Sequence, residues 1–228
     1  MKKVVVISLG GSLIIPENIN YPLLEQFKKI IRKYYSTHKF VVVCGGGSIA
    51  RKYIEALKKE GKSKNQLSHA GIRATRMNAL FMMQFFGKEA NDTLPMNMED
   101  VKNSLSRNSL VICGALRFSE NSTSDTTAGK LAYFLKTNFI NITNVKGLYT
   151  ADPRKDKNAK FISSISWKEF EKMALKTKYS PGQHFVLDQS AATLIRKYKM
   201  PTYIIGNNLK NLENILKGKK FEGTEIRN

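Results

Sequence analysis

Cysteine, proline, tryptophan and acidic side chains are all scarce in this chain of 228 residues. Its two cysteines, Cys44 and Cys113, are too few for a disulfide framework, and each closes an apolar run just before a glycine. That is the setting of a small buried hydrophobe in a reducing compartment, so neither a disulfide nor a zinc site is expected. Six prolines and 15 glycines exclude a collagen-like fibre or a low-complexity chain. No apolar run approaches the roughly 20 residues that span a bilayer. The first residues lead directly into Val4 to Leu9 rather than into a secretory signal, and the expectation is a soluble cytoplasmic protein. Acid is the clearest deficit: 18 Asp and Glu stand against 38 Lys and Arg, a formal net charge of +20. Such a molecule attracts anions, and nucleic acid, acidic membrane and phosphorylated small molecules all meet that description. What is present, 42% hydrophobic residues, suffices for one globular domain or two closely joined lobes.

Short apolar runs alternate with amphipathic stretches, the pattern of a mostly parallel sheet with helices on both faces. Strands are predicted at Val4 to Leu9, Phe40 to Cys44, Leu110 to Cys113, Phe139 to Ile142 and Thr202 to Ile205. Asn20 as cap and Pro22 in the first turn open a helix whose core stripe runs from Tyr21 to Tyr34. A second helix starts near Ser48 and turns Ala50, Tyr53, Ile54 and Leu57 inward. A polar stretch from Glu60 to Ser68 precedes a Met/Phe-rich helix from about Gly71 to Phe86, whose Met77, Leu80, Phe81, Met83, Phe85 and Phe86 serve a core or a subunit interface. Further helices are expected over Thr126 to Leu135, Trp167 to Ala174, Asp188 to Tyr198 and Leu209 to Leu216. The chain changes character after Gly147, where 151–160 is polar and interrupted by Pro153; a second lobe would begin there.

Glycine-rich turns follow the first two strands, where open α/β sheets gather ligands. Gly10-Gly11-Ser12 ends the first strand, and Gly45-Gly46-Gly47 ends the second and leads into a helix carrying Arg51 in its first turn. Consecutive glycines let backbone N–H groups approach an anion, the helix terminus adds favourable potential, and an arginine can clamp two phosphate oxygens. The competing explanation is a tight turn that needs positive φ, which one glycine satisfies. Gly45, Gly47 and Ala50 match G-x-G-x-x-A, but they follow the second strand and lack the acid about twenty residues later, so a dinucleotide site is not expected. Gly61-Lys62-Ser63 follows a helix and lacks the first glycine of a P-loop. A third region, Ser122 to Ala128, offers hydroxyls and the N terminus of a helix to a second anion; Asp125 there could cap the helix or orient a phosphate. His38 and His184 fall in predicted loops and His69 at the start of a helix, none with partners at metal-ligand spacing. Trp167, with Phe170 and Met173, reads as packing, and Lys217, Lys219 and Lys220 as a solvated charge run.

The two glycine turns with Arg51, the string GIRATRMNA from Gly71 to Ala79 and the string TNVKGLYTADP from Thr143 to Pro153 stand in register over essentially the whole chain. Together they resemble the amino-acid-kinase superfamily, and most of all its archaeal-type uridylate kinases. The resemblance implies an α/β fold, a three-layer αβα sandwich with a mostly parallel sheet. It implies one domain over 1–228, with an acceptor lobe over about 1–140 and an ATP lobe over 141–228. ATP phosphates would lie over Gly10, Gly11 and Ser12, with Gly47, Arg51, Thr143, Asn144, Tyr149 and Asp152 holding the rest of ATP. The UMP phosphate would lie near Gly46 and the Thr123-Ser124 turn, and Ser68 would face the acceptor ribose. Asp125 and Asp188 fall at the acidic positions that organise phosphates and Mg²⁺, and with Arg51 they are the catalytic candidates. No dedicated protein metal site is expected. The resemblance further implies a homo-oligomer, commonly a hexamer.

The chain departs from that pattern in three places. Ser8 stands where the wider superfamily usually has a lysine, although the archaeal-type kinases often lack it. Ser68 replaces the acid expected to bind the acceptor ribose, and a neutral hydroxyl accepts a weaker hydrogen bond than a carboxylate. The 115–124 turn is longer than usual and lacks its Gly and Pro. The last two changes lie on the acceptor side and keep open a same-fold kinase of another small phosphate or carboxylate. A noncatalytic polyanion-binding protein would require steeply salt-dependent binding. Here the basic residues are scattered without aromatic interleaving, which argues against a specific nucleic-acid or membrane partner; small nucleotides and other copies of the chain are the partners that the resemblance implies.

Overall fold

The computed structural model describes residues 2–116, 123–176 and 186–228. In chain order its elements are β1 (Lys3–Leu9), α1 (Gly11–Ile14), α2 (Tyr21–Lys33), β2 (His38–Cys44), α3 (Gly47–Lys59), α4 (Lys64–Phe86), a 3-10 turn (Gly87–Glu89), α5 (Met98–Arg107), β3 (Leu110–Cys113), α6 (Ser124–Phe134), β4 (Phe139–Ile142), β5 (Leu148–Tyr149), β6 (Phe161–Ile162), β7 (Ser164–Ser166), α7 (Trp167–Leu175), α8 (Gln189–Lys197), β8 (Thr202–Ile205), α9 (Lys210–Leu216) and β9 (Thr224–Arg227). A seven-stranded sheet takes the order β3-β2-β1-β4-β8-β9-β7, and β5 pairs with β6 in a separate hairpin. All neighbours in the large sheet are parallel except β8 and β9.

Alternate strand residues point to opposite faces, and both faces are apolar here. Val5, Ile7 and Leu9 of β1, Phe40 and Val42 of β2 and Ile112 of β3 join Phe27 and Ile31 of α2, Met82 and Phe86 of α4 and Leu212 of α9 in one core. Val6, Val41, Val43 and Val111 join Val101 of α5, Leu131 of α6, Phe170 of α7 and Ile195 of α8 in the other. The result is the expected three-layer sandwich. Helix α3 lies outside these layers and packs Ile54 against Leu67 and Ala70 of α4. At the free edge of β3 the buried side chain of Asn91 closes the ladder: its Nδ2 donates to Ile112 O at 3.1 Å and its Oδ1 accepts from Ile112 N at 2.6 Å.

Several expectations are corrected. The stretch read as polar from Glu60 to Ser68 is largely the start of α4, which opens at Lys64 behind a reciprocal capping box between Ser63 and Gln66. His69 therefore sits inside α4 rather than at its start. His38 is the first residue of β2, only 6% exposed, with its Nδ1 2.8 Å from Thr37 Oγ1; it is neither in a loop nor on the surface, and burial pushes its pKa down. Tyr53, expected inward, is 58% exposed, because the face of α3 that meets α4 is carried by Ile54 and Leu57. Asn20 caps α2 by position without a side-chain bond. Arg51 is the fifth residue of α3, one turn further in than read. Helix α5 and strands β5, β6, β7 and β9 were not predicted. His184, Ser122 and the central part of the 115–124 turn lie outside the described residues.

Candidate active site

The carboxyl ends of the parallel strands meet along one edge of the sheet, and the backbone ladder continues one residue past them. Gly10 N donates to Ile142 O, Gly45 N to Leu9 O and Thr143 N to Ile205 O, each at 2.9 Å. The three turns after β1, β2 and β4 are thereby held side by side. The first two are in direct backbone contact: a Cβ on Gly11 would stand 2.0 Å from Gly47 N, and one on Gly45 would stand 2.4 Å from Gly11 N. Of the triplet only Gly47 has positive φ, +62°. Positive φ thus explains one glycine of three, and the meeting of two turns explains Gly45. A Cβ on Gly46 would stand 2.5 Å from that of Ala50, and Asn78 Nδ2 fixes the turn from α4 by donating to Gly45 O at 2.7 Å.

Among the described residues no acceptor takes the N–H of Gly11, Ser12, Gly46 or Gly47. These donors lie at the amino ends of α1 and α3, where the backbone dipole favours an anion. Arg51 is half-buried beside them, its Nη2 donating to Pro16 O at 3.3 Å. The same 15–17 segment accepts Ser48 N at Ile15 O and pairs Glu17 with Lys52 at 2.8 Å. Ser68 lies half-buried on α4 one turn before Gly71, whose carbonyl borders Gly46.

The carboxylates come from the other side of the sheet edge. Thr123 is the cap of α6, its Oγ1 accepting from Asp125 N at 3.1 Å, which frees the Asp125 side chain from the capping role left open for it. Asp125 instead accepts the Ser8 hydroxyl at 2.7 Å. Asp188 caps α8 by accepting Ala191 N at 2.7 Å, and its two oxygens also accept Thr126 Oγ1 at 2.6 Å and Thr123 Oγ1 at 2.5 Å. No ion pair among the described residues includes either acid. Burial first, and then the neighbouring Asp188 charge, push Asp125 up to about 7, against the lowering effect of the Ser8 bond.

Tyr149 and Asp152 belong to the hairpin side. Tyr149 sets its ring edge to face with Phe161, centroids 5.4 Å apart. Asp152 is gripped by Arg154, whose Nε and Nη2 donate at 3.0 Å to its two oxygens, and this arginine holds it down at about 2. The hairpin is tied to the main sheet by Thr224, whose Oγ1 accepts Leu148 N at 2.7 Å and donates to Ile162 O at 2.5 Å. Asn144 is exposed in the intervening turn, and Ser124 is the first residue of α6. The structure thus joins Gly10 to Ser12, Gly45 to Gly47 and Thr143 in one cluster and Thr123, Asp125 and Asp188 in another, linked through Ser8 of β1. Ser8, Thr126, Asn78 and Arg154 were not read from the sequence as partners of these groups.

The chain matches the amino acid kinase family over residues 3–206. It is 35% identical over 228 residues to a uridylate kinase of Thermoplasma volcanium, covering 99% of this chain and 98% of that one. The crystal structure of uridylate kinase from Archaeoglobus fulgidus superimposes with a TM-score of 0.84 at 32% identity, over 99% of this chain and 100% of the other. The UMP kinase of Ureaplasma parvum shares the fold, with a TM-score of 0.79 at 20% identity over the full length of both chains.

Proposed function

We propose, since the chain belongs to the amino acid kinase family, that it transfers the γ-phosphoryl group of ATP to UMP, giving UDP and ADP. One observation carries the reading: two interlocked glycine turns with unclaimed N–H groups share the sheet edge with two carboxylates that have no cationic partner among the described residues. The first part suits two anions brought together, and the second suits a cation that accompanies one of them.

The donors of Gly11 and Ser12 would hold the ATP phosphates with Gly47 and Arg51, and the N–H of Gly46 would face the UMP phosphate. Thr123 and Ser124 border the acceptor phosphate, and Thr143, Asn144, Tyr149 and Asp152 the rest of ATP. In this reading residues 1–140 serve the acceptor and 141–228 serve ATP. Phosphoryl transfer asks mainly for alignment and for neutralisation of spreading negative charge. A UMP phosphate oxygen is already a competent nucleophile near neutral pH, so no side-chain base is required. Donors fixed before the reaction begins stabilise the transition state by a few kcal/mol each, on the order of 3 kcal/mol. Asp125 and Asp188 fit a divalent cation, because a positive charge would relieve their mutual repulsion and none of the ion pairs among the described residues supplies one. Mg²⁺ bound there would neutralise the phosphoryl oxygens. The reaction would serve pyrimidine nucleotide synthesis in the cytoplasm, in a homo-oligomer of the hexameric kind.

Incubation of the purified protein with Mg-ATP and a panel of nucleoside monophosphates tests the reading. UDP formation from UMP is expected to dominate. Turnover of a different acceptor without UDP would overturn UMP as substrate, the outcome that the neutral Ser68 hydroxyl would accommodate. Retention of long polyanions without any turnover would overturn the enzyme itself.

A further inference from the structure

Two polar side chains interrupt the apolar face of the sheet beneath the acid pair. Ser8 of β1 and Asn141 of β4 are both buried, and they are direct partners in the β1–β4 register. Positions around them on that face are filled by Val6, Val41 and Val43, as is usual in a sheet covered on both sides. A polar group placed there must be satisfied by a bond. Ser8 Oγ donates to Asp125 Oδ1 at 2.7 Å. Asn141 Nδ2 donates to Val186 O at 2.5 Å, two residues ahead of Asp188. Thr123 and Thr126, which flank Asp125 at the start of α6, close the circuit by donating to the two oxygens of Asp188. The contacts run from Ser8 through Asp125 and α6 to Asp188, then through Val186 and Asn141 back to Ser8.

We infer that Ser8 and Asn141 are positioning residues of the phosphoryl-transfer site, fixing from the sheet the separation of the Asp125 and Asp188 carboxylates. The inference rests on the phosphoryl-transfer reading above. Two like charges left to themselves turn apart. A hydroxyl aimed at one of them from a rigid strand selects a single rotamer, while the amide anchors the segment that carries the other. Both side chains spend their donors on the chain itself, Ser8 on Asp125 and Asn141 on Val186. Their effect is on how well the pair is spaced for a cation and the phosphates it accompanies. Residues that orient metal-binding carboxylates in this way typically matter by about 10- to 100-fold.

A double-mutant cycle of Ser8→Ala and Asp125→Asn tests this, with two readouts: kcat and KM for UDP formation, and the affinity for Mn²⁺ in the presence of ADP followed by electron paramagnetic resonance. In the wild-type background Ser8→Ala is expected to lower kcat by about tenfold or more and to weaken Mn²⁺ binding about tenfold. KM values for ATP and UMP should stay within about twofold and the melting midpoint near that of the wild type. Ser8→Thr, which keeps the hydroxyl, should restore most of the loss. In the Asp125→Asn background Ser8→Ala should change neither readout. An equal loss in both backgrounds, or a kcat within about twofold of wild type in the first, would overturn the inference. Should Ser8→Ala fail to fold, Asn141→Ala carries the same claim and must lower kcat and Mn²⁺ affinity together; unchanged values overturn it. If the wild-type protein makes no UDP, the acceptor reading fails, and the Mn²⁺ affinities alone decide for or against Ser8 and Asn141.

Discussion

Asp125 combines a half-buried position, a neighbouring acid and a single hydroxyl donor, and the sign of its effect on stability follows. Its pKa rises from the ordinary 3.8 to about 7 in the folded chain, chiefly through burial. Between those values the folded protein holds a proton that the unfolded chain has lost, so stability falls as pH rises through that window. In the metal-free protein Asp125→Asn is expected to match the wild type near pH 4 and to melt roughly 4 °C higher or more at pH 8, as thermal melts at both values will show. UDP formation by the same variant should be largely lost, since stability is gained by removing a charge the reaction uses. Arg51 is the complementary case. Among the described residues its one hydrogen bond is a 3.3 Å contact to Pro16 O, which leaves most of its donors for a ligand. Arg51→Ala should raise KM for at least one nucleotide by about tenfold or more, the worth of a hydrogen bond to a charged group. Initial rates that leave both constants within about twofold would remove Arg51 from the phosphate site.

Among the elements, the two glycine turns behave as one object because each fills the space where the other would need a Cβ. Gly11→Ala would bring a methyl group to 2.0 Å from Gly47 N, and no flexible side chain can yield there. A loss of about 3 kcal/mol or more is expected in urea unfolding. Gly61→Ala, at φ +66° with nothing within 4 Å, should cost only the left-handed backbone term of about 1–2 kcal/mol. The five parallel strands from β3 to β8 in the sheet order were legible because their runs are largely apolar on both faces. Strands β6, β7 and β9 were not, since Phe161-Ile162, Ser164 to Ser166 and Thr224 to Arg227 are short and partly exposed. Helix α5 buries only Val101 and Leu105, too few for a periodic stripe, although its Asn97 and Asp100 capping box stood in the sequence, as did that of Ser63 and Gln66 before α4. Both glycine turns could be read as anion sites, yet their contact with each other could not. Ser8 and Asp125 are separated by 117 residues, as Thr123 and Asp188 are by 65, and no local pattern reports such a meeting.

At the scale of the whole molecule, the charge excess is spread over exposed lysines, several of them paired with the few acids, as Lys33 is with Glu213 and Lys146 with Glu222. The site draws on little of it beyond Arg51. Among the described residues no helix is long and apolar enough to cross a membrane. The outer face of α4 leaves Met77 60% and Leu80 43% exposed, a place for a second copy to pack. In sedimentation velocity the wild type is expected to run as an oligomer and the Met77→Lys, Leu80→Lys double variant as a smaller species; identical profiles would place the interface elsewhere. Asn91 narrows the alternatives. By pairing its amide with the N–H and C=O of Ile112 it occupies part of the hydrogen-bonding row that an edge strand would otherwise offer to any passing chain. At β3 one side chain thus discourages the addition of a further strand, and a variant lacking that amide is expected to expose a template for fibril-like association.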